Sequence, residues 1–151
     1  MVTLVETAMK HNALSALLLI GGAIMSCHYR QIVDTFGGFP IVLACGPTET
    51  GESTSLKVGL SLTEGQKHAF YAKGTNAYFL ERTALSCLPF GIDDPNMSTY
   101  GGRKQLDIGE LVVDLYNGAK TANLRSGARQ PSSVPIIATN TPPKDDPRLV
   151  V

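Results

Sequence analysis

Two glycines five positions apart, Gly46 and Gly51, bracket Pro47-Thr48-Glu49-Thr50, and Glu52-Ser53-Thr54 follow at once. Glycines so spaced let a backbone turn its N–H groups inward around an anion. A hydroxyl just behind them, from Ser53, can reach a Mg²⁺ ion that the same anion holds. A second group, Asp93-Asp94, closes the apolar run that starts at Leu88. Adjacent carboxylates at the end of such a run can ligate a divalent cation or accept a proton. A third group is a single amide, Asn140, at the end of the run Val134-Pro135-Ile136-Ile137-Ala138-Thr139. An anion cradle, a pair of carboxylates and an amide together could serve a phosphorylated ligand.

Each group needs an element to hold it. Phe39 to Cys45 has the length and β-branched content of a buried strand, and Ser53 to Leu62 can be helical. Strand, glycine-bounded loop and helix form the setting of a P-loop, G-x-x-x-x-G-K-[ST], with the positive end of the helix facing the anion. Every position fits but one: the lysine position holds Glu52. A like charge about 4 Å from a phosphate opposes binding by about 4 kcal/mol at an effective dielectric near 20. Losing the lysine forfeits a comparable attraction.

The remaining elements alternate. Ala13 to Cys27 is the most apolar stretch. It is shorter than the roughly 20 residues a bilayer requires, so it is expected as a buried helix running on through Asp34, with no membrane partner. Gly21-Gly22 would mark close packing or a break, and Phe36-Gly37-Gly38 the helix end. His68 to Ala72 reads as a strand. Thr75 is expected to cap a helix over Asn76 to Cys87, with Ala77, Leu80, Ala84 and Leu85 on its inner face. Leu88 to Asp94 is a further strand, and Asn96 to Lys104 a polar, glycine-rich and mobile stretch. Leu106 to Tyr116 has a helical rhythm. Asn117 to Ser133 reads as a long basic connection carrying Lys120, Arg125 and Arg129, and Ser133 to Asn140 as the last strand. The alternation predicts a three-layer α/β/α sandwich around a mostly parallel sheet. An N-terminal helical segment (1–38) precedes the core (39–151).

Thirteen basic and thirteen acidic residues give zero formal charge, so any nucleic-acid contact must be local. Cys27, Cys45 and Cys87 form no CxxC pair. That odd, scattered set reads as reduced, buried thiols of an intracellular protein, and no pair has zinc-ligand spacing.

With its three motifs in this order, each on its own expected strand, the chain resembles the P-loop ATPases that insert an additional strand beside the P-loop. These are the AAA-plus and helicase-like class, particularly the primase- and helicase-associated ATPases of phage and mobile elements. The resemblance covers about Phe39 to Asn140. Gly46 to Thr54 then stands as the Walker A loop, Leu88 to Asp94 as Walker B, and Val134 to Asn140 as the sensor-1 strand. It implies a P-loop NTPase sheet in which Pro40–Ala44 lies beside Val134–Ala138, with Leu88–Ile92 on the far side of the latter. It implies ATP and Mg²⁺ as ligands: Gly46, Pro47, Thr48, Thr50, Gly51, Glu52, Ser53 and Thr54 at the nucleotide, Ser53 and Asp93 at the metal, Asp94 and Asn140 at the reacting water. Nucleic acid, reached through Arg125 or Arg129, and a homo-oligomeric ring are the implied partners. The departures are Glu52, an aspartate (Asp94) where glutamate is usual, and Pro89 and Gly91 within the Walker B strand. No fifth strand or helical lid follows, so the sheet is expected to be incomplete at the C-terminus, as in a piece of a longer protein. The expected function is the ATP-binding core of a helicase-like ATPase, weakened or inactivated by Glu52. The alternative is a P-loop fold without nucleotide, serving as a pseudoenzyme or an interaction domain.

Overall fold

The computed structural model describes residues 12–46, 51–63, 70–71, 73–95, 99–100, 103–104, 106–118, 121–123 and 127–140. Its centre is a four-stranded, wholly parallel sheet of β1 (Leu43–Cys45), β2 (Phe70–Tyr71), β3 (Gly91–Asp93) and a last strand, β8 (Ile136–Thr139). The order is β1-β8-β3-β2. Leu43 pairs with Ile137 on one side of β8, and Ile92 pairs with Ile137 on the other. The insertion of the final strand between the first and third is the order expected from the motifs.

Side chains on a strand alternate between faces, and here the alternation builds two cores. Ile136 and Ala138 of β8 pack with Leu19 and Ala23 of helix α1 (Ala13–Ser26) and with Leu56 and Leu60 of α3 (Glu52–Leu60). Ile137, between them, faces the other way into a larger cluster. That cluster takes Tyr29 from α2 (Tyr29–Phe36), Phe79 and Leu80 from α4 (Asn76–Leu85), and Leu111 and Leu115 from α5 (Ile108–Tyr116). Helices therefore cover both faces of the sheet, and every residue of β8 is buried. A strand buried on both faces is a near-continuous apolar run, which is why Ile136 to Ala138 is legible in the sequence.

Local signals set most helix ends. Gly37 closes α2 in the left-handed conformation (φ 76°). The Thr75 side chain accepts from Tyr78 N–H at 3.2 Å to open α4, and Asp107 accepts from Glu110 N–H at 3.1 Å to open α5.

The structure departs from the expected helices in two places. The first helix does not run on to Asp34. It ends at Ser26, and α2 leaves at 84°. No glycine or proline sits at the turn. Tertiary bonds hold it instead: Ser26 Oγ donates to Val134 O (3.0 Å) and accepts from Val134 N–H (2.9 Å), while Tyr29 Oη donates to Leu115 O. Gly22 serves close packing, since a Cβ there would collide with Val42 of the segment entering β1. Among the described residues no helix is long and apolar enough to cross a membrane.

The second departure is the inner face of α4, which is Phe79, Leu80 and Thr83, whereas Leu85 is 59% exposed. Phe79 stacks on Phe90 (centroids 6.0 Å, 17°). An aromatic ring buries more area than Ala77 or Ala84 can, and it sets the rotation of the helix.

Two stretches expected to be irregular hold antiparallel hairpins. Thr99–Tyr100 (β4) pairs with Arg103–Lys104 (β5), and Thr121–Asn123 (β6) with Gly127–Arg129 (β7). A Gly-Gly pair is a hairpin signal, and the sequence between β4 and β5 carries one.

The Ser26 clamp joins two distant parts of the chain through one hydroxyl. Ser26→Ala should strand both Val134 groups and lower unfolding free energy by about 1–3 kcal/mol. Urea denaturation reads this against Ser61→Ala, an exposed hydroxyl bonded only to Val58 O, whose loss should stay within about 0.5 kcal/mol.

Candidate functional site

Parallel strands all deliver their C-terminal ends to one edge, and ligands of open α/β sheets bind there. At this edge β1 ends in Cys45, β3 in Asp93 and β8 in Thr139. The register aligns them: Cys45 is opposite Thr139, and Asp93 is opposite Ala138. Helix α3 begins beside the same edge, its N-cap Gly51 at φ 95°. That left-handed conformation suits glycine and strains other residues. Glu52 is the first residue of α3, where a carboxylate is favoured by the helix dipole.

Glu52, Ser53, Asp93, Asp94 and Asn140 line one small cleft of about 20 Å³, bounded by Ala138 and Thr139. Ser53 Oγ donates to Asp93 Oδ1 at 2.8 Å, joining the second residue of α3 to the last residue of β3. The residues are 40 positions apart in the chain. The bond leaves the second Asp93 oxygen and the Ser53 lone pairs for a cation. Mg²⁺ usually takes one or two carboxylates and completes its shell with water and ligand phosphates. Ser53 and Asp93 fit that mode of binding. Among the described residues no three His, Cys, Asp or Glu side chains group to hold a metal alone.

Asp94 is exposed and has φ 43°, the one positive φ outside glycine among the described residues. Its N–H donates to Ala138 O at 2.8 Å, which extends the β3–β8 ladder by one bond and turns the chain out of the sheet. Asparagine and aspartate tolerate this region best among L-residues, and strained backbone of this kind gathers at functional sites. Asn140 is exposed directly after β8 and Thr54 is exposed on α3. Gly46 directly follows β1. Pro47, Thr48 and Thr50 lie outside the described residues. So does Arg125, whereas Arg129 ends β7 and is half-buried, away from this cleft.

A larger cavity, about 230 Å³, adjoins the cleft on the other side of Glu52, between α1, β1 and α3. Sequence reasoning missed it. Its polar lining comes from Asn12 and Ser15 at the start of α1, and from Cys45 and Ser55. Nothing local marks Asn12 or Ser15 as facing a cavity; the packing of α1 against α3 puts them there. Burial pushes the Cys45 thiol above its usual range, and the Glu52 carboxylate adds to the shift. All three cysteines are free thiols, but none is buried as expected: Cys27 is half-buried, and Cys45 and Cys87 are exposed.

Comparison of the chain with protein-family models, curated proteins and solved structures returns no match.

The turn at Asp94 yields a direct test of backbone strain. Alanine in the left-handed region costs roughly 1–2 kcal/mol that glycine does not incur. Asp94→Gly should therefore be more stable than Asp94→Ala by about 1 kcal/mol in chemical denaturation. Equal stabilities would show that residue 94 relaxes out of that conformation in solution.

Proposed function

We propose that this chain is the nucleotide-binding core of a P-loop ATPase of the helicase-like, additional-strand class, with binding and hydrolysis of Mg-ATP depressed by Glu52. One observation carries the reading: the Ser53–Asp93 hydrogen bond at the C-terminal edge of a parallel sheet ordered β1-β8-β3. A hydroxyl on the first turn of a helix and a carboxylate at a strand end, so joined, are what a Mg²⁺-bound phosphate needs from a protein. The strand order supports the finer fold, a P-loop sandwich, because it inserts the last strand between the other two motif strands.

Roles follow from position. Ser53 and Asp93 would hold the metal. Mg²⁺ would supply charge neutralisation at the phosphates. Asp94, turned out of the sheet, would accept a proton from water or orient it, and Asn140 would donate to the γ-phosphate or the water. Glu52, whose side chain shares their cleft, sets a carboxylate against the phosphates in place of an ammonium. Calorimetry with Mg-ATP should rank Glu52→Lys tightest, Glu52→Gln next and the unaltered chain weakest, with about tenfold or more per step. Equal affinity across the three would remove residue 52 from the phosphate site and the assignment with it. If the lysine variant binds while the unaltered chain binds nothing at any reachable concentration, the non-hydrolysing pseudoenzyme is the better description of the chain as written.

The resemblance adds nucleic acid as a partner. The β6–β7 hairpin directly before β8, ending in Arg129, supports a strand-contacting element. Arg125→Ala plus Arg129→Ala should weaken single-stranded DNA binding and flatten its salt dependence, because two phosphate contacts are lost. Unchanged affinity in the double variant removes that role.

A further inference from the structure

Helix α1 is apolar all the way round. It contains no Asp, Glu, Lys or Arg, and a helix of that kind is ordinarily enclosed on every side. Here one side is enclosed, by α3 and the sheet. The other side carries Leu14, Leu17, Leu18, Ile24 and Met25, each between 39% and 70% exposed. Their spacing of three, four and seven residues puts them in one stripe along the helix. None of the five belongs to either core cluster. Gly21 falls at the middle of the stripe, with nothing within 4 Å of the place a Cβ would take. Glycine is unfavourable inside a helix. Close packing on Val42 accounts for Gly22, whereas no such neighbour accounts for Gly21 among the described residues.

Whatever covers this stripe must be apolar and uncharged where it touches. A membrane surface is the poorer match, because helices that lie on lipid carry Lys or Arg on their polar face and α1 carries neither. A second copy of the chain is the better one. The formal net charge is zero, so two copies do not repel as wholes. A two-fold axis sets the stripe against itself, apolar on apolar. The area also suffices. At about 200 Å² for a fully exposed residue of this size, the five present roughly 500 Å² on each copy. A pair then covers roughly 1,000 Å², the lower end for a specific interface. We propose that the chain forms a two-fold dimer through the outer face of α1. The two helices cross at Gly21, where the missing side chain lets the backbones approach. Such a pair is closed, unlike a head-to-tail ring, and it needs no nucleotide.

The test is sedimentation velocity of the full chain over a range of concentrations, without nucleotide. An interface of this size suits a dissociation constant of about 10–100 µM. The expected result is a reversible monomer–dimer equilibrium that stops at two copies. Leu18→Glu and, separately, Gly21→Arg should each weaken the pairing by about tenfold or more. Both positions face outward, so far-UV circular dichroism should keep its unaltered form. Leu85→Glu is the control: its leucine is equally exposed but lies at the end of α4, on the opposite face of the sheet, and its substitution should leave the pairing unchanged. A parallel arm sediments the chain with vesicles of mixed phosphatidylcholine and phosphatidylserine, to which no binding is expected. A chain that stays monomeric to about 200 µM, that grows past two copies, or that is monomeric in solution yet sediments with the vesicles would overturn the proposal. So would Leu18→Glu and Gly21→Arg chains that pair as tightly as the unaltered one. The unaltered chain decides the matter even where a variant does not fold.

Discussion

Strand β8 is the constraint on which the rest depends. It comes last among the described elements, yet it fills the centre of the sheet, and its amides feed both neighbours. Ile136 N–H donates to Phe90 O and Ile137 N–H to Val42 O. Until it inserts, β1 and β3 share no ladder, and neither core has its middle. Ile136 and Ala138 complete one apolar cluster and Ile137 the other. Full burial of one such aliphatic side chain is worth about 1.5–3 kcal/mol, and β8 supplies both faces at once. Its entry is held from below by the Ser26 clamp on Val134 and by Thr83 O, which accepts from Ser132 N–H at 2.9 Å.

The same insertion creates the site. Only with β8 between β1 and β3 do Asp93 and Thr139 end side by side. The Ser53–Asp93 bond then ties α3 to the sheet at the edge where the strands end. The edge that results is acidic: Glu52, Asp93 and Asp94 share one cleft although the chain as a whole is neutral. The charge of Glu52 is eased by the helix N-terminus on which it stands. A carboxylate at position 52 suits the helix N-terminus, whereas it would repel an anion placed there.

Glu52 also stands between two spaces of different character. On one side is the small polar cleft with Ser53 and Asp93, and on the other the larger cavity walled by α1. Helix α1 carries no charge, and its outer face leaves Leu14 and Leu18 exposed at 70% and 64%. Its inner face packs against α3 and the sheet through small residues, Ala16, Gly22 and Ala23. Close approach along that face leaves the first turn of α1, with Asn12 and Ser15, standing over the end of β1.

By itself the sequence determined the four strands of the parallel sheet, though not the two hairpins, because those four are written in local pattern. Apolar runs ended by Asp93-Asp94 and by Asn140 stop where side chains must change from buried to wet. Thr75 and Gly37 mark helix ends through the conformation each prefers. Gly46 and Gly51 mark the loop, and even the order β1-β8-β3 was legible, through resemblance. Tertiary structure alone decided what depends on partners distant in the chain. The 84° turn after Ser26 has no local breaker; Val134 and Leu115, far along the chain, make it. The inner face of α4 was fixed by the stacking of Phe79 on Phe90, an outcome that helical periodicity over Ala77, Leu80, Ala84 and Leu85 does not contain. The left-handed turn at Asp94 follows from the bond of its N–H to Ala138 O, and the cavity over β1 from the approach of two helices. A sequence pattern reports which side chains favour water or a given φ. It does not report which surfaces meet, and that is what bends α1 into α2 and gives Glu52 a second space to face.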